Sequence, residues 1–279
     1  MNAATTTDVP ATAYDEGLRL VMPGRHVDAG RGASWISEGW RLFVRAPLMW
    51  IIAIVVLFII AIVMNFIPIL GGIVFQVLQI VFWAGFIAAC RSLEKGGEFE
   101  IEHLFAGFKR HFGSLVVVSI IFMVIGLAIA FVYFGAIGFS VMGAALSGDA
   151  EAVQRALLNS IGLAVVGALI AFAIAVPVFA AMWFAPALIF MHGVPPLEAM
   201  KASLGASFRN FIPFLVYGVI MFVLAIVAMI PFGLGMLVYV PLTIASAYAS
   251  YRDIFTEEAV VTPPRFADAP LAPPPPPVA

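Results

Sequence analysis

The sequence predicts an all-α integral membrane protein whose six transmembrane helices form three parallel repeats. Each repeat is an interfacial amphipathic helix followed by a two-span hairpin. Three observations lead there. The 279-residue chain is 63% hydrophobic and only 11% charged, with a mean hydropathy of +1.08, whereas soluble proteins carry about 25% charged residues. Four blocks, 46–90, 112–148, 156–197 and 210–251, contain no Asp, Glu, Lys or Arg, and each exceeds the roughly 20 residues that cross a bilayer. Finally, the lead-in to the first block, "WRLFVRAPLMWI" at 40–51, recurs twice in degenerate form.

Residues 1–33 read as a disordered cytoplasmic tail. They lack the basic n-region and apolar core of a signal peptide, and the run "LRLVM" is too brief to assign. The membrane domain is expected over 34–255. In the first block "NFIPILGG" at 65–72 carries the Pro and Gly that end one helix and open another, giving spans near 48–66 and 70–90. In the last block "MIPFGLG" at 229–235 does the same, for spans near 211–230 and 233–251. The middle blocks show no such break and predict two long helices, near 114–142 and 160–191, with Pro177 and Pro186 as kink sites. Between them "SGDAEAVQRALLNS" predicts a short amphipathic helix on the outer surface. The Pro-rich residues 256–279 form a second cytoplasmic tail, extended or disordered.

Orientation follows from basic residues, which concentrate on cytoplasmic segments. Thirteen of the 14 lie in the two tails and the loops after the second and fourth spans, Arg155 being the exception. Both termini are therefore expected on the cytoplasmic side of the membrane.

The repeat aligns "WRLFVRAPLMWI" with "AGFKRHFGSLVV" at 106–117 and "GASFRNFIPFLV" at 205–216. Phe43, Phe108 and Phe208 correspond, as do Arg45, Arg110 and Asn210. Helical spacing places Trp35, Trp40 and Phe43 on one face of the first lead-in and Glu38, Arg41 and Arg45 on the other. The stripes Ile101–Leu104–Phe108 and Leu197–Leu204–Phe208 repeat the pattern. Trp35, Trp40, Phe108 and Phe208 are thus expected at headgroup depth, with Arg41, Arg45, Arg110 and Arg209 facing anionic lipid.

The lead-in "GASWISEGWRLFVRAPLMW", the "IP…GG" turn, "PPLEAMKASLGASFRNF" and the closing "AYASYRDIF" resemble a family of uncharacterised proteobacterial inner-membrane proteins with six predicted spans. The pattern is more distantly similar to the membrane domain of some bacterial glycerophosphodiester phosphodiesterases. That resemblance implies the six-span fold and no catalytic residues. The soluble phosphodiesterase barrel has no counterpart in these residues, so that activity is not expected.

No charged side chain lies within a predicted span, which argues against pumps and carriers built on intramembrane ion pairs. Gln76 and Gln79, one turn apart in the second span, are the candidate intramembrane polar site. His103 and His111 stand eight residues apart, about 12 Å along a helix, too far to share an ion. With one cysteine, Cys90, and no nucleophile, phosphate or metal motif, the expectation is no enzyme, no cofactor and no metal. The expected partners are the bilayer, with anionic lipid at its cytoplasmic face, and a membrane protein or second copy of this chain; nucleic acid is not among them. A structural or organisational role is the leading reading. A transporter or channel for a small neutral or lipidic solute is the alternative.

Overall fold

A computed structural model describes residues 17–258 of the chain; residues 259–279 of the predicted Pro-rich tail, Arg265 among them, lie outside them, while 256–258 form a strand and so correct that boundary. A short strand, β1 (Leu18–Leu20), precedes ten helices: α1 (Arg31–Arg45), α2 (Pro47–Asn65), α3 (Leu70–Glu94), α4 (Ala106–Lys109), α5 (Phe112–Leu146), α6 (Ala150–Trp183), α7 (Ala185–His192), α8 (Pro196–Arg209), α9 (Phe211–Met229) and α10 (Met236–Phe255). A 3-10 turn, Ile101–Phe105, leads into α4, and β2 (Thr256–Glu258) follows α10.

Among the described residues, five segments are long and apolar enough to cross a membrane: α2, α3, α5, α9 and the 43-residue stretch Ala150–His192 that α6 and α7 share. The predicted sixth span corresponds to α10, which is not among the five. It has 20 residues, but Thr243, Ser246, Tyr248, Ser250, Arg252 and Asp253 lower its hydropathy, and its second half is buried in protein. The helices form three up-and-down hairpins, α2–α3, α5–α6 and α9–α10. Their turns gather at one end, and the lead-ins α1, α4 and α8 cap the other.

The turns form where Pro and Gly were read. At the first, a Cβ on Gly71 would stand 1.7 Å from the Met64 carbonyl oxygen, so only Gly lets the chain reverse this tightly. The middle turn differs from expectation. Residues 150–160 form no separate surface helix but the first turns of α6, because Asp149 caps them by accepting from the Glu151 amide at 2.9 Å. At about 1.5 Å per residue, the 35 residues of α5 against the 19 of α2 carry the middle hairpin some 24 Å further.

The predicted fourth span breaks at Phe184, immediately before Ala185–Pro186, whereas Pro177 leaves α6 continuous. Ser203 of α8 enters this break. Its hydroxyl accepts from the Phe184 amide (3.0 Å) and donates to the Ala180 carbonyl (2.6 Å). It thereby bridges the two groups that a continuous helix would pair directly.

Each lead-in packs away from its own hairpin. Helix α1 lies on α9 and α10; the 3-10 turn and α4 lie on α3; α8 lies on α6. Small residues permit the close approach. Gly32 and Gly39 are seven residues apart on one face of α1. A Cβ on the first would stand 2.1 Å from the Pro213 carbonyl oxygen, and on the second 2.6 Å from the Ser246 nitrogen. On α8 the buried face is Ala199, Ala202, Ser203 and Ala206, while Leu197 and Phe208 point outward. The apolar stripe read from the sequence is therefore the outer face of this helix.

Regular structure is present well before residue 34. Strand β1 pairs antiparallel with β2, Leu18 opposite Glu258 and Leu20 opposite Thr256. The Val21 amide then bonds the Phe255 carbonyl (2.8 Å) and the Arg25 amide bonds Ile254 (2.9 Å). Residues 17–30 are thus a strap across the end of α10, a correction to the predicted tail boundary.

Candidate functional site at the junction of the returning helices

The helices that return from the turns, α3, α7 and α10, meet at the capped end, and the fully buried core lies there. Glu94, at the last turn of α3, is the hub of this junction. It accepts from Arg91 at 2.8 Å and from the Tyr248 hydroxyl at 2.6 Å, and it lies 3.2 Å from Arg252 Nε. Arg91 is almost fully buried, so its charge is compensated within the protein rather than by solvent. His192 at the end of α7 pairs with the Tyr251 hydroxyl at 2.6 Å and so ties α7 to α10.

A cation meets the carbonyl end of each returning helix, where the helix dipole is negative. Arg45 donates to the Leu93 carbonyl of α3, and Arg110 to the Met191 carbonyl of α7 at 2.9 Å. For α10 the strap supplies the group: Arg25 donates to Asp253 O (2.7 Å) and to Thr256 O. Asn210, which aligns with Arg45 and Arg110, instead holds the strap, accepting from the Val27 amide (2.8 Å) and donating to Arg25 O (3.0 Å). Arg209 donates to Gly24 O.

A second hub holds α1 down. The Asp253 carboxylate accepts from Arg31 Nε at 2.7 Å and from the Trp35 indole at 2.8 Å. The bond to Asp253 holds the Arg31 guanidinium above its ordinary pKa, against the opposing effect of partial burial.

These positions revise several expected anchors. Trp35 is fully buried against Phe214 and Tyr217, with ring centroids 5.2 and 6.2 Å away, so it is a core residue and not a headgroup anchor. Trp40, Phe108 and Phe208 are exposed, as headgroup contact requires, and so is Arg41. Arg45, Arg110 and Arg209 spend at least one donor on a backbone carbonyl. Gln76 and Gln79 are both exposed, in the half of α3 away from the junction, and the structure brings no other predicted site residue to them.

The sequence reading missed Glu94, Asp253 and Ser203. Their signal was available in part: Arg91–Glu94 is an i, i+3 pair, and "YRDIF" sets two charges at the mouth of a span. What no spacing revealed is that Glu94 meets Tyr248 across 154 residues of chain, with Arg252 beside it.

The architecture and the site define an α-helical multi-pass membrane protein whose charged groups serve mainly to lock helix ends together. No family model matches the chain, and no solved structure matches it. It is similar to a probable inner membrane protein of Burkholderia thailandensis, 31% identical over 228 residues that span 80% of this chain and 82% of that protein. The chain belongs to the family of that probable inner membrane protein.

Proposed function

We propose that the protein is a non-enzymatic organiser of the bacterial inner membrane, a rigid three-hairpin platform that holds lipid and a membrane-protein partner or second copy. One observation carries this reading: the lead-ins are handed on cyclically. The first lies on the third hairpin, the second on the first and the third on the second, which closes the capped end into a ring. That order supports three parallel repeats about an axis along the membrane normal. It also supports counting α10 as a sixth membrane helix, since its polar groups face protein rather than lipid.

The charge distribution supports placing the capped end in the cytoplasm. Among the described residues only Arg155 lies at the far end, 3.6 Å from Asp149. A reporter fused after Asp149 then falls on the face opposite both tails. The inner-membrane placement rests on the relative's printed name.

A platform has no conduction path. Proteoliposomes containing the purified protein should show no sustained uptake in a screen of small neutral and lipidic solutes. Flux that disappears in Gln76→Ala would replace this reading with that of a transporter.

A further inference from the structure

The middle hairpin outreaches its neighbours by about 24 Å, most of the roughly 30 Å of a hydrocarbon core. All three hairpins belong to one packed frame, so their turns cannot share the far surface. The lead-ins set the levels. Gly107 of α4 meets α3 at Val81, Gly39 of α1 meets α10 at Ser246, and Ser207 of α8 meets α6 at Ala180. Leu70, at the first turn, lies 11 residues beyond Val81, and Met236, at the third, lies 10 beyond Ser246, about 15 Å in either case. Ala150 lies 30 residues beyond Ala180, about 45 Å. A bilayer with its headgroups measures about 40–45 Å. From lead-ins at one headgroup layer, the middle turn therefore reaches the other, and the first and third stop in the near half.

The chemistry of the turns agrees. The middle one is polar, with Ser147, Asp149, Glu151 and Arg155 all exposed. The other two, 65–72 and 229–235, carry no charge, and Phe66, Ile69, Phe232 and Leu234 point outward. Their one polar side chain, Asn65, folds back to donate to Ala61 O at 2.8 Å. Hydrocarbon tolerates a turn only where its backbone groups find partners within the protein. The amides of Phe66, Ile67, Leu70 and Gly71 bond carbonyls of the same turn or the helix end before it, as do those of Ile230, Gly233, Leu234 and Met236, at 2.6–3.2 Å. Pro68 and Pro231 bring no amide at all. Beyond the level of the short turns the outward surface of α5 and α6 is still apolar, with Phe131, Val132, Phe134 and Leu158 exposed. Hydrocarbon covers such a surface and water does not.

We propose that the first and third hairpins are re-entrant: they enter from the cytoplasmic side, turn within the hydrocarbon and return, while α5–α6 alone reaches the far surface. This rests on the reading of a membrane platform whose capped end is cytoplasmic, and it sets how deep each hairpin goes. Six crossings or two leave both tails on one side, so the basic residues fit either count. Six membrane helices then stand in the cytoplasmic leaflet and two in the outer one, which makes the organiser a wedge.

Single cysteines read the depth, with Cys90→Ala in every variant. Ile69→Cys, Phe232→Cys and Ser147→Cys are each labelled with bimane, and the full-length protein is reconstituted in phosphatidylcholine vesicles. The vesicles carry a lipid with its nitroxide quencher either on the headgroup or near the end of the acyl chain. Bimane at Ile69→Cys and at Phe232→Cys should be quenched more strongly by the chain-end nitroxide, and at Ser147→Cys by the headgroup nitroxide. Stronger headgroup quenching at Ile69→Cys or Phe232→Cys would set that turn at a membrane surface and overturn the re-entrant hairpins, with the platform left standing. Quenching at Ser147→Cys alone would overturn them too, since lipid would then not touch the short turns. No quenching at any of the three positions would overturn the membrane reading itself.

Discussion

Gly39→Leu should destabilise the protein by about 3 kcal/mol, the upper part of the range for overpacking a close contact. The reason is that the new Cβ begins 2.6 Å from the backbone nitrogen of Ser246. Backbone cannot swing aside as a side chain can, so α1 must lift from α10. Lifting it exposes Trp35, separates the indole from Asp253 and breaks the Arg31 ion pair, all of which depend on the same seating. Thermal unfolding in detergent micelles measures the loss. Gly205→Ala on α8, where a Cβ meets nothing within 4 Å, should be neutral or slightly stabilising, as Gly-to-Ala changes in helices are. Equal effects of the two changes would mean that α1 is not held where the structure places it.

Removing the carboxylate at the junction should cost as much or more. Glu94→Ala removes the carboxylate that Arg91 and Arg252 share, with side chains only 7% and 18% exposed, and takes the acceptor from the buried Tyr248 hydroxyl. Breaking a buried pair from one side costs about 3–5 kcal/mol. Glu102 provides the contrast. Its partner Lys109 holds its carboxyl below the ordinary pKa, yet both side chains are about two-thirds exposed, and solvent screens such surface pairs so that they add little to stability. Thermal unfolding of Glu102→Ala should therefore match the parent. Glu94→Gln should fall between, since the amide oxygen still accepts from Tyr248 while the charge is lost.

The hairpins were legible from the chain because bilayer length, Pro and Gly act locally. Pro68 with Gly71, and Pro231 with Gly235, turn the backbone wherever they occur, and both turns sit where they were read. The break before Pro186 was legible for the same reason. Pro177 was not distinguishable from Pro186 in sequence. What separates them is Ser203, which reaches the Phe184 amide from a helix that comes later in the chain.

The lead-ins expose the limit of periodicity. An amphipathic pattern states that one face is apolar, not whether lipid or protein will cover it. Trp35 and Trp40 carry the same signal, yet one is fully buried and the other is 47% exposed. On α8 the small residues, which hydropathy weights weakly, make the protein face. The core of the site was hidden for a related reason. Glu94, Tyr248, Arg252 and His192 come from three different returning helices, and only the convergence of those helices gives them a common address.

Cyclic seating of the lead-ins is the claim on which the platform, the repeat and the depth of each hairpin all depend, and photo-crosslinking tests it directly. A photoreactive side chain placed in turn at Ile36, Phe108 and Ser207 should capture, after proteolysis and mass spectrometry, peptides from 211–242, 75–94 and 172–183 respectively. Those are the surfaces the three residues face in the structure. Capture of 47–94 from Ile36, of 124–174 from Phe108 and of 236–255 from Ser207 would place each lead-in on its own hairpin and contradict the account.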